Sequence, residues 1–278
     1  MKKKLSQRII AGALMVLIFL TSLLHPIAFM AVITFAMIVM HLEYFNMSLG
    51  KGTYCLEKAL SIIASLCLFY VAFSILAFSL EIKWLYICVL PFLALNIAIV
   101  LNKDERGSHS YAEHFIFPIV YIGASSTISS LLLFNSQGNF SPLLFISIFV
   151  MIWMSDIGAY VLGMTFGQKE NSKKLCPNIS PKKSWCGVWG DLLFTLLAAF
   201  ALQYFGMVNF PYIHLVVISL IVVVFGIFGD LFESLIKRRY SIKDSGTIMP
   251  GHGGLLDRFD GALFVLPAVF VYIKLFTI

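Results

Sequence analysis

The chain has 278 residues, 60% of them hydrophobic and 12% charged, with a formal net charge of +6. Soluble domains carry about 25% charged residues, so this composition excludes an ordinary soluble enzyme, a nucleic-acid binder and a disordered scaffold. A mean hydropathy of +0.92 points instead to an all-α polytopic membrane protein.

A helix needs about 20 apolar residues to cross roughly 30 Å of hydrocarbon. Nine segments are candidates: 9–24, 27–42, 59–80, 84–101, 115–134, 142–165, 190–208, 213–232 and 261–276. The first two are short and separated only by His25-Pro26, so they form a tight hairpin or one broken element. The last is also short and can begin within the preceding motif. The basic start and apolar run of Met1–Leu24 resemble a signal peptide. No clear small-x-small site followed by a soluble domain accompanies them, so an uncleaved first span is expected.

The charges support the count. With the N-terminus inside, the cytoplasmic pieces are 1–8, 43–58, 102–114, 166–189 and 233–260. They hold all the Lys and Arg except Lys83 and Lys274, as the positive-inside rule requires. The chain reads as a single integral membrane domain over 1–278, with N-terminal spans in 1–134 and a catalytic half in 135–278. The five cysteines, Cys55, Cys67, Cys88, Cys176 and Cys186, contain no Cys-x-x-Cys pair. Neither a disulfide framework nor a structural zinc site is expected.

The first half offers little chemistry. His25 and His41 lie near predicted span ends, where an interfacial role suffices. Trp84 and Tyr86 suit interfacial anchoring. The polar piece 102–114, with His109 and His114, reads as a solvated loop.

The second half differs. Asp156 lies inside an apolar run, and a carboxylate there is costly enough to imply a polar cavity or a partner. Gly158, Gly163 and Gly167 permit close helix contact or a helix break around that cavity. The next piece carries Lys169, Lys173, Lys174, Lys182 and Lys183. Headgroup attraction accounts for part of that charge. The compact run Ser180-Pro181-Lys182-Lys183-Ser184-Trp185 also offers point charges and hydroxyls to a nucleotide or lipid phosphate.

The densest group spans 229–260. Asp230 and Glu233 share a helix face, with Lys237 on the same side. Lys243-Asp244 opens a loop rich in Ser and Gly, Pro250-Gly251-His252-Gly253-Gly254 forms a turn, and Asp257 and Asp260 project together if the chain is helical from Leu255. Carboxylates from two helices can hold a hard divalent cation, and neighbouring cations can hold the phosphates that complete its coordination. His252 suits phosphate hydrogen bonding or turn structure better than base catalysis, because a phosphate monoester is largely deprotonated at neutral pH.

These residues resemble the phosphatidate cytidylyltransferase (CDP-diacylglycerol synthase) family. The resemblance rests on Ser234–Arg239, Lys243-Asp244 and Pro250-Gly-His-Gly-Gly-Leu-Leu-Asp-Arg-Phe-Asp260. A second stretch runs from Trp153 and Asp156 through Gly158-Ala159-Tyr160 and Phe166-Gly167 to Ile179–Trp185. The resemblance implies an enzyme of the bacterial inner membrane, commonly a homodimer. Such enzymes transfer CMP from CTP to phosphatidic acid, forming CDP-diacylglycerol and pyrophosphate. It implies Mg²⁺ at Asp230, Asp257 and Asp260, with a monovalent cation such as K⁺ assisting. Lys243 and Asp244 match the family's Lys-Asp pair and join the catalytic set. Asp156, Ser180, Lys182, Lys183, Ser184, Lys237, Arg238, His252 and Arg258 are the expected substrate contacts, around a polar cavity open to the cytoplasm.

Two departures stand out. The family usually has a Glu where Cys186 stands and a Gly where Asp191 stands, so Asp191 is a candidate replacement for the missing charge. Other readings of the same residues are cytidylyl transfer to a different lipid phosphate, a CTP-dependent lipid kinase, and a transporter of an anionic solute. Charge concentrated on one membrane side argues against the transporter.

The topology makes a direct prediction. Reporter fusions should place the N-terminus in the cytoplasm and the C-terminus outside, and finding both on one side would refute an odd number of spans.

Overall fold

The structure is a computed structural model, and it describes residues 2–50, 52–101, 109–135, 137–169, 172–177, 179–248 and 253–277. It is almost entirely helical, with one small two-stranded hairpin. Among the described residues, eight helical segments are long and apolar enough to cross a membrane. They are Pro26–Ser48, Cys55–Ala77, Ile82–Leu101, Ala112–Leu133, Leu143–Thr165, Trp185–Tyr204, Tyr212–Arg239 and Leu256–Phe276. The first helix, α1 (Lys2–Ser22), contributes the shorter apolar stretch Gly12–Ser22. The chain forms two compact units, one of Met1–Phe140 with Ile242–Phe259 and one of Ser141–Ser241 with Asp260–Ile278.

In the first unit, α1 and α2 (Pro26–Ser48) are separate helices. Pro26 occupies the first turn of α2, where its missing N–H costs nothing. His25 caps that turn, its Nδ1 accepting from the Ile27 N–H at 3.2 Å. α2 packs on α3 (Cys55–Ala77), and Phe29 stacks on Phe73 with ring centroids 5.8 Å apart. A 3-10 turn over Ile82–Cys88 then leads into α4 (Val89–Leu101).

Two expectations change here. His41 is fully buried rather than interfacial. Its Nδ1 lies 2.8 Å from the Met37 carbonyl and its Nε2 2.9 Å from Ser65 Oγ, so both ring nitrogens have partners inside the protein. The span expected at 115–134 is also irregular. α5 (His109–Pro118) passes through a π-helical turn at Ile119–Ala124 into α6 (Ser125–Ser130). Pro118 lacks the N–H that would continue the regular ladder, and Gly123 seats the backbone against Ser65, where a Cβ would lie 2.6 Å from its Oγ.

The second unit begins with α7 (Leu143–Thr165) and continues through β1 (Lys174–Cys176) and β2 (Ser180–Ser184) into α8 (Trp185–Tyr204). The cytoplasmic piece 166–189 thus contains an antiparallel hairpin pairing Lys174 with Ser184 and Cys176 with Ser180. α7 and α8 touch backbone to backbone. A Cβ on Gly158 would collide with the Gly190 carbonyl, and one on Gly190 with the Gly158 carbonyl. Gly163 meets Gly187 in the same seam. Close approach through small residues is how helices associate where lipid gives no hydrophobic drive. Buried hydroxyls bond to their own helices, Ser147 to Leu143 O, Thr195 to Asp191 O and Ser219 to Leu215 O, so these three ask nothing of lipid.

α9 (Tyr212–Arg239) extends past the expected boundary at 232, so Glu233 and Lys237 are helical. α10 (Leu256–Phe259), in the first unit, precedes α11 (Ala262–Phe276). The last candidate span thus starts inside the motif, at Leu256. Within the second unit, α9 packs against α11 through Phe232 and Phe264, 5.3 Å between centroids, and through His214 Nδ1 and Tyr272 Oη at 2.8 Å. Large apolar side chains such as Val100 and Leu101 are exposed. In water this would be an association hazard; on membrane spans it is the lipid-facing surface.

The α7–α8 seam yields a stability prediction. G158A should lower the melting temperature in detergent by about 3–10 °C, because overpacking costs about 1–3 kcal/mol or more and this obstacle is backbone. An unchanged melting temperature would contradict the contact.

Candidate functional site

The second unit gathers much of the chemistry. Asp230 is on α9, one residue after Gly229. A Cβ on Gly229 would lie 2.6 Å from the Asp260 carbonyl oxygen and 2.9 Å from Gly261 Cα. That glycine lets the start of the last helix press onto α9, bringing Asp230 and Asp260 into electrostatic reach. Asp260 Oδ1 accepts from the Gly261 N–H at 2.7 Å, and Asp230 Oδ1 accepts from Ser234 Oγ at 3.3 Å.

The hairpin brings the cation. Side chains alternate faces along a strand, so Lys182 and Lys183 point apart. Lys182 is exposed. Lys183 Nζ lies 2.6 Å from Asp230 Oδ2, with the two side chains 24% and 43% exposed. A pair this wet contributes at most about 1 kcal/mol to stability, so its meaning is placement. Ser184 ends β2 and caps α8, its buried hydroxyl accepting from the Gly187 N–H at 3.3 Å. Ser180 opens β2 and is half-buried.

Two more carboxylates belong to this group. Asp191, on α8, is buried and accepts from Ser155 Oγ at 3.1 Å. Asp156, Lys183 and Asp230 all act on it electrostatically. Asp156 is exposed on α7 and also acts on Asp260. Lys237 pairs with buried Glu233 at 2.6 Å and acts electrostatically on Asp260. Arg238, at the end of α9, is exposed.

The first unit holds the rest of the motif. Lys243, Asp244 and Arg258 are exposed. His252, with Met249–Gly251, lies outside the described residues. Asp257 Oδ2 accepts from the Ser245 N–H at 2.9 Å, Ser245 Oγ at 2.9 Å and the Gly254 N–H at 2.8 Å. Gly253, at φ +86°, turns the chain beside it; a Cβ there would lie 2.7 Å from that same oxygen.

Glu43 is the residue the sequence reading missed. The charge pattern places it in the cytoplasmic piece 43–58, yet α2 continues to Ser48 and Glu43 is buried. The available signal was the apolar run carrying on through Tyr44, Phe45 and Met47, the criterion that singled out Asp156.

The donor set decides whether Mg²⁺ suits these residues. Asp156, Asp191, Asp230 and Asp260 offer hard carboxylate oxygens, and the Lys183 ammonium already sits on one of them. Among the described residues, no three His, Cys, Asp or Glu side chains form a metal-holding group. Mg²⁺ commonly takes one or two carboxylates plus substrate phosphates, so these carboxylates could hold it only with substrate oxygens completing its coordination. The fit is to a site completed by substrate.

The model of the cytidylyltransferase family matches residues 6–276. The chain belongs to that family. It is 46% identical over 128 residues to a phosphatidate cytidylyltransferase of Bacillus subtilis, covering 46% of each chain. It is 38% identical over 168 residues to one of Staphylococcus saprophyticus, covering 60% of this chain and 61% of that one. A Staphylococcus epidermidis protein of the same name is 42% identical over 119 residues, covering 43% of this chain and 44% of that one. The aligned stretches thus span roughly half the length of these curated relatives.

Asp191 gives a binding prediction. Mg²⁺ should raise the melting temperature of the wild type, and D191N should need about tenfold more Mg²⁺ for the same rise. An identical Mg²⁺ titration in folded D191N would remove Asp191 from the site.

Proposed function

We propose that this protein transfers CMP from CTP to phosphatidic acid, forming CDP-diacylglycerol and releasing pyrophosphate. The observation that carries the reading is the backbone contact at Gly229. It brings the Asp260 backbone against α9 and Asp230 within electrostatic reach of Asp260, while Lys183 reaches Asp230 from the hairpin. Carboxylates for a hard cation and an ammonium for phosphate therefore meet in one unit of a cytidylyltransferase-family chain.

In the proposed reaction, a phosphate oxygen of phosphatidic acid attacks the α-phosphorus of CTP. A new oxygen–phosphorus bond forms. The bond from the α-phosphorus to the bridging oxygen breaks, and its electron pair leaves with pyrophosphate. The second pKa of a phosphate monoester is near ~6, so the attacking oxygen is mostly ionised at neutral pH and needs no general base. Positioning and charge stabilisation then carry the catalysis.

Lys183 exchanges Asp230 for a substrate phosphate, and exposed Lys182, Arg238, Lys243 and Arg258 draw CTP from water. Lys237 keeps Glu233 compensated and adds positive charge near Asp260. Asp230 and Asp260 would hold Mg²⁺, and Asp257 keeps its role as the motif's third carboxylate, with K⁺ as an assisting ion. Bound Mg²⁺ would neutralise charge on the phosphate oxygens. The lipid tails remain among the apolar spans while the headgroup reaches a polar cavity on the cytoplasmic side. The setting we propose is a homodimer in a bacterial inner membrane with a cytoplasmic N-terminus.

Purified protein should release pyrophosphate only when CTP, phosphatidic acid and Mg²⁺ are present together. D230N and D260N should lower turnover by about 100-fold or more, and K183A should cost about tenfold more than K182A. Wild-type turnover in folded D230N and D260N would overturn the site. A phosphorylated lipid with CDP as the second product would reassign the reaction to a lipid kinase, and solute flux without pyrophosphate would reassign it to transport.

A further inference from the structure

Glu43 lies in α2, far in sequence from the motif at 243–260. Its carboxylate is buried, and a buried charge requires donors. All of its described donors come from the motif. Oε1 accepts from the Leu255 N–H at 2.9 Å, and Oε2 from the Leu256 N–H at 2.8 Å. Ser245 Oγ lies 3.5 Å from Oε2. The loop backbone presses onto this carboxylate from two sides. A Cβ on Gly246 would run into it, and one on Gly254 would meet both Ser245 Oγ and Glu43 Oε1.

The same loop segments hold Asp257. Ser245 gives Asp257 Oδ2 both its N–H and its Oγ, and Gly254 gives its N–H. Ser245 has one hydroxyl proton and stands between two carboxylates. At 2.9 Å against 3.5 Å, the proton goes to Asp257. Glu43 thus grips Leu255 and Leu256, and Asp257 hangs on the residues either side of that grip.

We propose that Glu43 is a positioning residue that fixes Asp257 for the reaction by clamping Ser245-Gly246 and Gly254–Leu256. The proposal rests on the cytidylyl-transfer reading above for Asp257's role. The clamp itself stands on the geometry. A carboxylate suits the task because its two oxygens accept from two consecutive backbone N–H groups at once. Glutamine keeps the size, but its NH₂ faces one of those N–H groups.

The test uses the full chain in lipid or detergent. E43Q should lower turnover about 10- to 100-fold and raise the Mg²⁺ concentration giving half-maximal rate about tenfold. The apparent KM for phosphatidic acid should change less than about twofold, since the clamp does not hold the lipid. Hydrogen exchange should show Mg²⁺ protecting 253–259 in the wild type and protecting it less in E43Q. G246A attacks the clamp from the loop side with the Glu43 charge intact, and should shift turnover and Mg²⁺ dependence the same way. It carries the test if E43Q does not fold. Wild-type turnover and Mg²⁺ dependence in folded E43Q or G246A would overturn the proposal, as would a lowered melting temperature with turnover unchanged. If the wild type makes no CDP-diacylglycerol, the assigned reaction falls. Mg²⁺ protection of 253–259 then judges Glu43 alone, and equal protection in E43Q overturns it.

Discussion

A carboxylate at the end of an apolar helix must be given donors, and both units are organised around that demand. The idealised cost of moving an ion into a low-dielectric interior is so large that partial compensation does not suffice. In the second unit, donors come from side chains and one local N–H: Lys183 for Asp230, Ser155 for Asp191, Lys237 for Glu233, and Gly261 for Asp260. In the first unit they come mainly from loop backbone, which serves Glu43 and Asp257. The difference matters chemically. A lysine can leave a carboxylate when a phosphate arrives; a backbone N–H stays where the chain puts it.

Glycine makes these arrangements possible by removing side chains from places where main chain must pass. Gly229 admits the Asp260–Gly261 backbone, and Gly246 and Gly254 admit the Glu43 carboxylate. Each glycine therefore sits beside an acid. The helices supply rigid supports, and the glycines set how near the charges come.

Much of this was legible in the sequence. Apolar runs marked the spans, and the break at His25-Pro26 separated two helices as the proline requires. The spacing of Glu233 and Lys237 put them on one helix face, where the structure pairs them. The hairpin at 174–184 was not legible, because a three-residue strand paired with a stretch that holds Pro181 and two lysines gives no strand-like alternation of apolar and polar side chains. The burial of His41 and Glu43 was only partly legible: both stand near a hydropathy boundary, the apolar run beyond Glu43 hints that its helix continues, and the partners Ser65, Leu255 and Leu256, distant in the chain, show how each is enclosed. Local pattern reports what a residue is; tertiary contact decides what surrounds it.

The crossing of Gly158 and Gly190 has a consequence for how such a chain can diverge. Where two side chains interlock, a larger residue on one helix can be offset by a smaller one opposite, and the two positions drift as a pair. Here each glycine is opposed by the other's carbonyl, which no substitution can shorten. No second-site change at the partner position relieves a Cβ at the first. The two positions are constrained independently, so substitutions there are not expected to correlate, and a contact map inferred from correlated substitutions would miss this crossing.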